Sequence, residues 1–166
     1  IDSTKFKIKN FENINSSYNN MLIQSSDFRN ISRKDFKVVS KIKPSKKSFK
    51  NLIFAFNICR FVKSNAIVIV KEDSTIGIGS GQPSRIDSCK IAIKKMQNFQ
   101  KDLYKSEIIA ASDAFFPFID GPETLAHSGV TTIVQPFGSI RDKEIIKYAN
   151  KVGMVLVYSK TRHFKH

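Results

Sequence analysis

Five short apolar runs constrain this chain more than any other feature. AIVIV (66–70), TIGIGSG (75–81), EIIAAS (107–112), VTTIVQP (130–136) and MVLVYS (154–159) are too short for membrane spans and rich in β-branched residues. AIVIV reads as a buried strand, TIGIGSG as an alternating strand before a Gly-rich loop, and the other three as strands. Between them the period changes from two to about 3.6. Phe49, Leu52, Ile53, Phe56 and Cys59 share one helical face after Pro44-Ser45, in a helix expected to end near Lys63. Ile86, Cys89, Ile93 and Met96 share another, GPETLAHSG (121–129) reads as a short helix closed by Gly129, and RDKEIIKYANKVG as one capped by Gly153. Strands alternating with helices imply an α/β fold with a layered αβα sheet.

The lead-in is different. Residues 1–40 are polar, rich in Asn and Ser, with short apolar pieces at Phe6-Lys7-Ile8 and Met21-Leu22-Ile23. They are expected to form short strands and turns before a main domain at 41–166. The opening residues lack the apolar core of a signal peptide. Cys59 and Cys89 both sit in apolar helical patterns, which favours reduced, buried thiols and a cytoplasmic home.

Lys plus Arg number 28 against 14 Asp plus Glu, a formal net charge of +14. That balance suits a partner of negative charge. The lysines are scattered, however, and no aromatic-interleaved RNA motif accompanies them. A solvated basic surface is the plain reading; an anion site is the sharper one. His127, His163 and His166 match no zinc spacing with the cysteines, and His127 reads as a surface residue.

In α/β sheets ligands gather at the loops beyond strand ends. Here those loops are KSN before the first strand, GQPSR after the second, SDAFFPF after the third and PFGSIR after the fourth. GIGSGQPSR is not a phosphate fingerprint, but it carries Arg85 to a helix N-terminus, where dipole and guanidinium suit an anion as readily as an ordinary turn. Ser139 is placed to cap the following helix. Asn65 suits either a turn or a ligand amide. In SDAFFPF, Pro117 forbids regular structure, yet three phenylalanines crowd around it. Phe116 and Phe118 read as core.

Taken in order, KSNAIV, TIGIGSGQPSR, SDAFFPF, QPFGSIRD and TRHFKH resemble the C-terminal end of the bifunctional purine biosynthesis family, which joins AICAR formyltransferase to IMP cyclohydrolase. The resemblance runs from Phe36 to His166 and is fainter before that. It implies a cytidine-deaminase-like subdomain of the transformylase, without metal chemistry, working as a homodimer whose site is shared between subunits. It implies formyl transfer from 10-formyltetrahydrofolate to AICAR, giving FAICAR. By the same resemblance Asn65, Arg85, Phe115 and Arg162 hold AICAR, with Asn65 also orienting the transferring group. Ile86, Ser139 and Ile140 contact the folate. The family's catalytic Lys-His pair and its cyclohydrolase region lie upstream, without counterpart in these residues; Lys165-His166 matches the family's tail instead. The expectation is a chain inactive alone, whether fragment, split gene product or decaying gene. The competing expectation is a basic nucleic-acid-binding module on a retired enzyme fold.

Overall fold

The computed structural model describes residues 12–29, 31–99 and 107–166. The expected strand at Phe6-Lys7-Ile8 lies outside these. Two compact units are present, one comprising residues 1–30 with His166, the other Ile31–Lys165. In the first, β1 (Glu12–Ser17) and β2 (Asn20–Ser25) form an antiparallel hairpin with Glu12 opposite Ser25. Ile14, Met21, Leu22 and Ile23 are exposed on it.

The second unit is a six-stranded mixed sheet in the order β3-β8-β7-β6-β4-β5. Its strands are β3 (Phe36–Val38), β4 (Ile67–Lys71), β5 (Ser74–Gly79), β6 (Ile109–Ser112), β7 (Thr132–Pro136) and β8 (Val155–Ser159). β6, β7 and β8 run parallel, while β3, β4 and their neighbours pair antiparallel. Because Phe36–Val38 pairs with β8, the unit begins before the division expected near residue 40.

Both faces of the sheet are covered, so the central strands β6, β7 and β8 are buried at every position rather than alternately. Val68, Val70, Ile109, Ala111, Val134 and Val157 pack with Leu52, Ala55, Phe56 and Cys59 of α1 (Lys46–Cys59). Their neighbours Ile67, Ile69, Ala110, Ile133 and Leu156 point the other way. There they meet Cys89, Ala92 and Met96 of α2 (Arg85–Phe99), Leu125 of α3 (Asp120–His127), and Ile145 and Ala149 of α4 (Asp142–Val152). This is the αβα layering that the alternating periods imply. Both cysteines are free and buried.

Local chemistry explains the boundaries. The Ser45 hydroxyl accepts the Ser48 N–H at 3.0 Å and starts α1 where Pro44-Ser45 places it. α1 stops at Cys59, short of Lys63, because Phe61 and Val62 donate to carbonyls only three residues back. Glu72 and Asp73, at φ 47° and 62°, make the two-residue turn from β4 to β5. Gly153, at φ 71°, ends α4 in the left-handed conformation. Ser139 does not cap α4: Arg141 occupies the N-cap position, and the Ser139 hydroxyl accepts the Arg141 N–H at 3.1 Å in the turn before it. Among the described residues, no helix is long and apolar enough to cross a membrane.

Candidate functional site

The start of β4 lies beside the end of β6, since Ile67 is opposite Ser112. One end of the sheet therefore gathers the KSN turn, the loop after β5, the SDAFFPF loop, the loop after β7 and the tail after β8. The four loops expected to hold ligands converge, and residues 160–165 join them.

At their centre is an acid that the sequence reading passed over. Asp113 is fully buried, and its Oδ1 accepts the Arg85 Nη2 at 2.9 Å. Its Oδ2 accepts the Ser64 hydroxyl at 2.6 Å. The Asp113 N–H donates to the Ala66 carbonyl at 3.2 Å, and its own carbonyl accepts the His163 N–H at 2.9 Å. The anion at the N-terminus of α2 is thus supplied by the chain itself. A buried carboxylate needs such pairing, because an isolated charge loses most of its hydration on burial. One sign was legible: an acid directly after a strand as apolar as IIAA requires a partner from elsewhere.

Arg85, only 10% exposed, also donates through Nη1 to the Phe115 carbonyl at 3.1 Å. Its Nε is buried without a hydrogen-bond partner. The Phe115 ring in turn lies 4.9 Å under the Arg162 guanidinium, within cation–π range. A side chain at Gly138 would come within 3.3 Å of Arg162 Nη2, so glycine leaves room for that arm.

The Asn65 amide nitrogen donates to the carbonyls of Gln82 and Pro83, at 2.8 and 3.1 Å. The Asn65 backbone carbonyl accepts the Ser88 hydroxyl at 2.8 Å. The loop has taken the donor half of the side chain, which leaves Oδ1 to accept from a ligand.

The three phenylalanines divide. Phe116 is core at 1% exposure, as expected. Phe118 is not: it is 55% exposed, with the Arg141 guanidinium 5.3 Å above its ring. Pro117 turns the chain between them, so consecutive aromatic side chains leave on opposite sides. Phe115, Phe118, Gly138, Ser139, Ile140 and Arg141 line a cleft of about 740 Å³. Ile140 stands fully exposed at its edge. Phe115, Ser139 and Ile140 therefore line one cleft, Arg162 meets it through the Phe115 ring, and Arg85 meets it through the Phe115 carbonyl. Ile86 is set apart, packing partly buried against the core. Gln135 was also missed: it is fully buried, its Oε1 accepts the Phe116 N–H at 3.4 Å, and its Nε2 has no hydrogen-bond partner.

Residues 2–95 match the family described as the AICARFT/IMPCHase bienzyme, over half of the chain. The chain belongs to that family. Relatives named bifunctional purine biosynthesis protein PurH align over 146 residues, 88% of this chain: 46% identical in Chlorobium chlorochromatii, 48% in Chlorobium phaeobacteroides and 44% in Neisseria meningitidis. The alignment takes in only 28% of the Chlorobium chlorochromatii bienzyme and 27% of the other two. A solved dCMP deaminase from cyanophage S-TIM5 superposes with TM-score 0.44 and 17% identity, covering 69% of this chain and 98% of that one. No chemistry follows from a likeness that distant.

Proposed function

We propose that this chain carries the substrate-binding part of the bienzyme's AICAR formyltransferase, which moves a formyl group from 10-formyltetrahydrofolate to the amine of AICAR. The observation that carries this reading is Phe115, which lines the cleft together with Ser139 and Ile140 and whose ring lies under Arg162. Residues that the family resemblance gives to the nucleotide and to the folate thereby share one opening. A flat heterocycle fits against Phe115, and a cationic arm suits an anionic nucleotide. Asn65 Oδ1 accepts from the carboxamide. Arg85 acts from behind, by holding the Phe115 backbone.

In the transfer, the amine attacks the formyl carbon, the bond to the folate nitrogen breaks, and the proton that the amine gives up is matched by one gained at that nitrogen, releasing tetrahydrofolate. The base and the oxyanion-stabilising cation for these steps are the Lys-His pair that has no counterpart here. The chain by itself binds but does not turn over, and the competent enzyme is a cytoplasmic homodimer. Calorimetry should find AICAR binding that Arg162→Ala weakens about tenfold or more, the loss of one charge-assisted contact. Formyl transfer should be absent with the chain alone and appear when the family's upstream half is added. Turnover by the chain alone would overturn the binding-only assignment.

One observation favours a second reading. Lys143, Lys147 and Lys151 follow one another at four-residue spacing on α4, and with Lys41 they border a depression of about 480 Å³. If this stripe holds nucleic acid, affinity falls steeply and linearly with log salt and ignores Arg162→Ala. If the transformylase reading holds, AICAR binding is selective among nucleotides and depends on Arg162.

A further inference from the structure

We infer that Asp113 is the positioning residue of the nucleotide site, a role that rests on the transformylase reading above. Both members of the Arg162–Phe115 stack hang from it. On one side, Asp113 orients Arg85, and Arg85 holds the Phe115 carbonyl at 3.1 Å. On the other, the Asp113 carbonyl takes the N–H of His163, the residue next to Arg162. The tail is tied a second time through Ser64. Its hydroxyl donates to Asp113 Oδ2 and accepts the Lys165 N–H at 3.1 Å, while its own N–H donates to the Lys165 carbonyl at 2.9 Å. One buried carboxylate thus sets the spacing between a loop and a tail separated by over forty residues.

The chemistry requires a carboxylate. Asn has nearly the same shape but presents one acceptor and one donor, so it cannot receive both Arg85 and Ser64. It would also leave the Arg85 guanidinium buried beside an uncharged group, and Arg85 would swing toward solvent and release Phe115. Arg85 therefore acts on the nucleotide through Phe115, with Asp113 one step further back.

The test compares two ligands and two mutants in the full chain. Asp113→Asn should weaken AICAR binding by about tenfold or more and leave 10-formyltetrahydrofolate binding at Ser139–Ile140 within about twofold. A general loss of stability would weaken both alike, and that result would sink the inference. In an Arg85→Met background the further loss from Asp113→Asn should shrink to that of the Ser64 branch, about threefold to tenfold, because the Arg85 branch runs through Asp113; fully additive losses would equally refute it. Should Asp113→Asn fail to fold, Ser64→Ala replaces it, with the same selective loss expected at about threefold to tenfold. If the unmodified chain binds no AICAR, the transformylase reading fails, and the positioning claim is read from amide exchange. The His163 and Lys165 N–H groups should then lose protection in Ser64→Ala or Asp113→Asn while Ala110 and Val134 keep theirs. Unchanged protection at His163 and Lys165 would overturn it.

Discussion

The SDAFFPF loop shows how one residue type takes three fates within four positions. Phe116 fills a slot that closes over Gly121, where an added Cβ would lie 2.4 Å from the Phe116 ring. Phe115 faces the cleft, and Phe118 is left outside under Arg141. Phe116→Ala should lower unfolding free energy by about 3–5 kcal/mol through cavity formation, and Phe118→Ala by less than about 0.5 kcal/mol, both by urea titration. Equal losses would show that Phe118 is packed in solution. Hydropathy alone put Phe116 and Phe118 together in the core; it has no term for the turn at Pro117, which separates them. Asp113 was in view in the same stretch, but its partners are 28 and 49 residues away, and no local pattern reports that distance.

At the scale of elements, α2 lies directly on β5 because two strand residues have no side chain. A Cβ at Gly79 would lie 1.9 Å from the Ser88 carbonyl oxygen, and one at Gly77 2.2 Å from that of Ala92. These contacts are with backbone, so nothing flexible can yield. Gly79→Ala should cost about 3 kcal/mol or more, seen as a large drop in thermal midpoint, and should also disturb the loop leading to Arg85. A near-neutral result would mean that α2 rides higher on the sheet. The TIGIGSG alternation announced a strand, and its glycines suggested a loop. That they serve helix packing is visible only once α2 is docked. By contrast the Ser45 cap was readable beforehand, and Ser45→Ala should cost about 1 kcal/mol by the same measurement.

At the scale of the whole molecule, both thiols lie in the two apolar layers, one on each side of the sheet. Burial is the main cause that pushes them up, Cys89 from an ordinary 9.0 to about 12 and Cys59 well above its usual range. A raised folded-state value means that the unfolded chain loses its thiol protons first. The stability they contribute is therefore complete below pH 9 and declines as pH climbs toward 12. Alkaline denaturation should show this, with a shallower decline in Cys89→Ala. Neither thiol should react with iodoacetamide at neutral pH until the chain unfolds; rapid labelling of the folded protein would contradict the packing. The sequence by itself determined five of the sheet's six strands, the helices between them, their order, the αβα layering and four of the loops that meet at one end of the sheet, because period, turn residues and caps act over a few positions. Only the tertiary structure decided which buried groups meet there. The register of β4 on β6 brings Ser64 and Arg85 to Asp113, the Pro117 turn sends Phe118 outward, and the tail places Arg162 over Phe115. Such pairings depend on long-range geometry, where a charge must find its partner across the fold or not be buried at all.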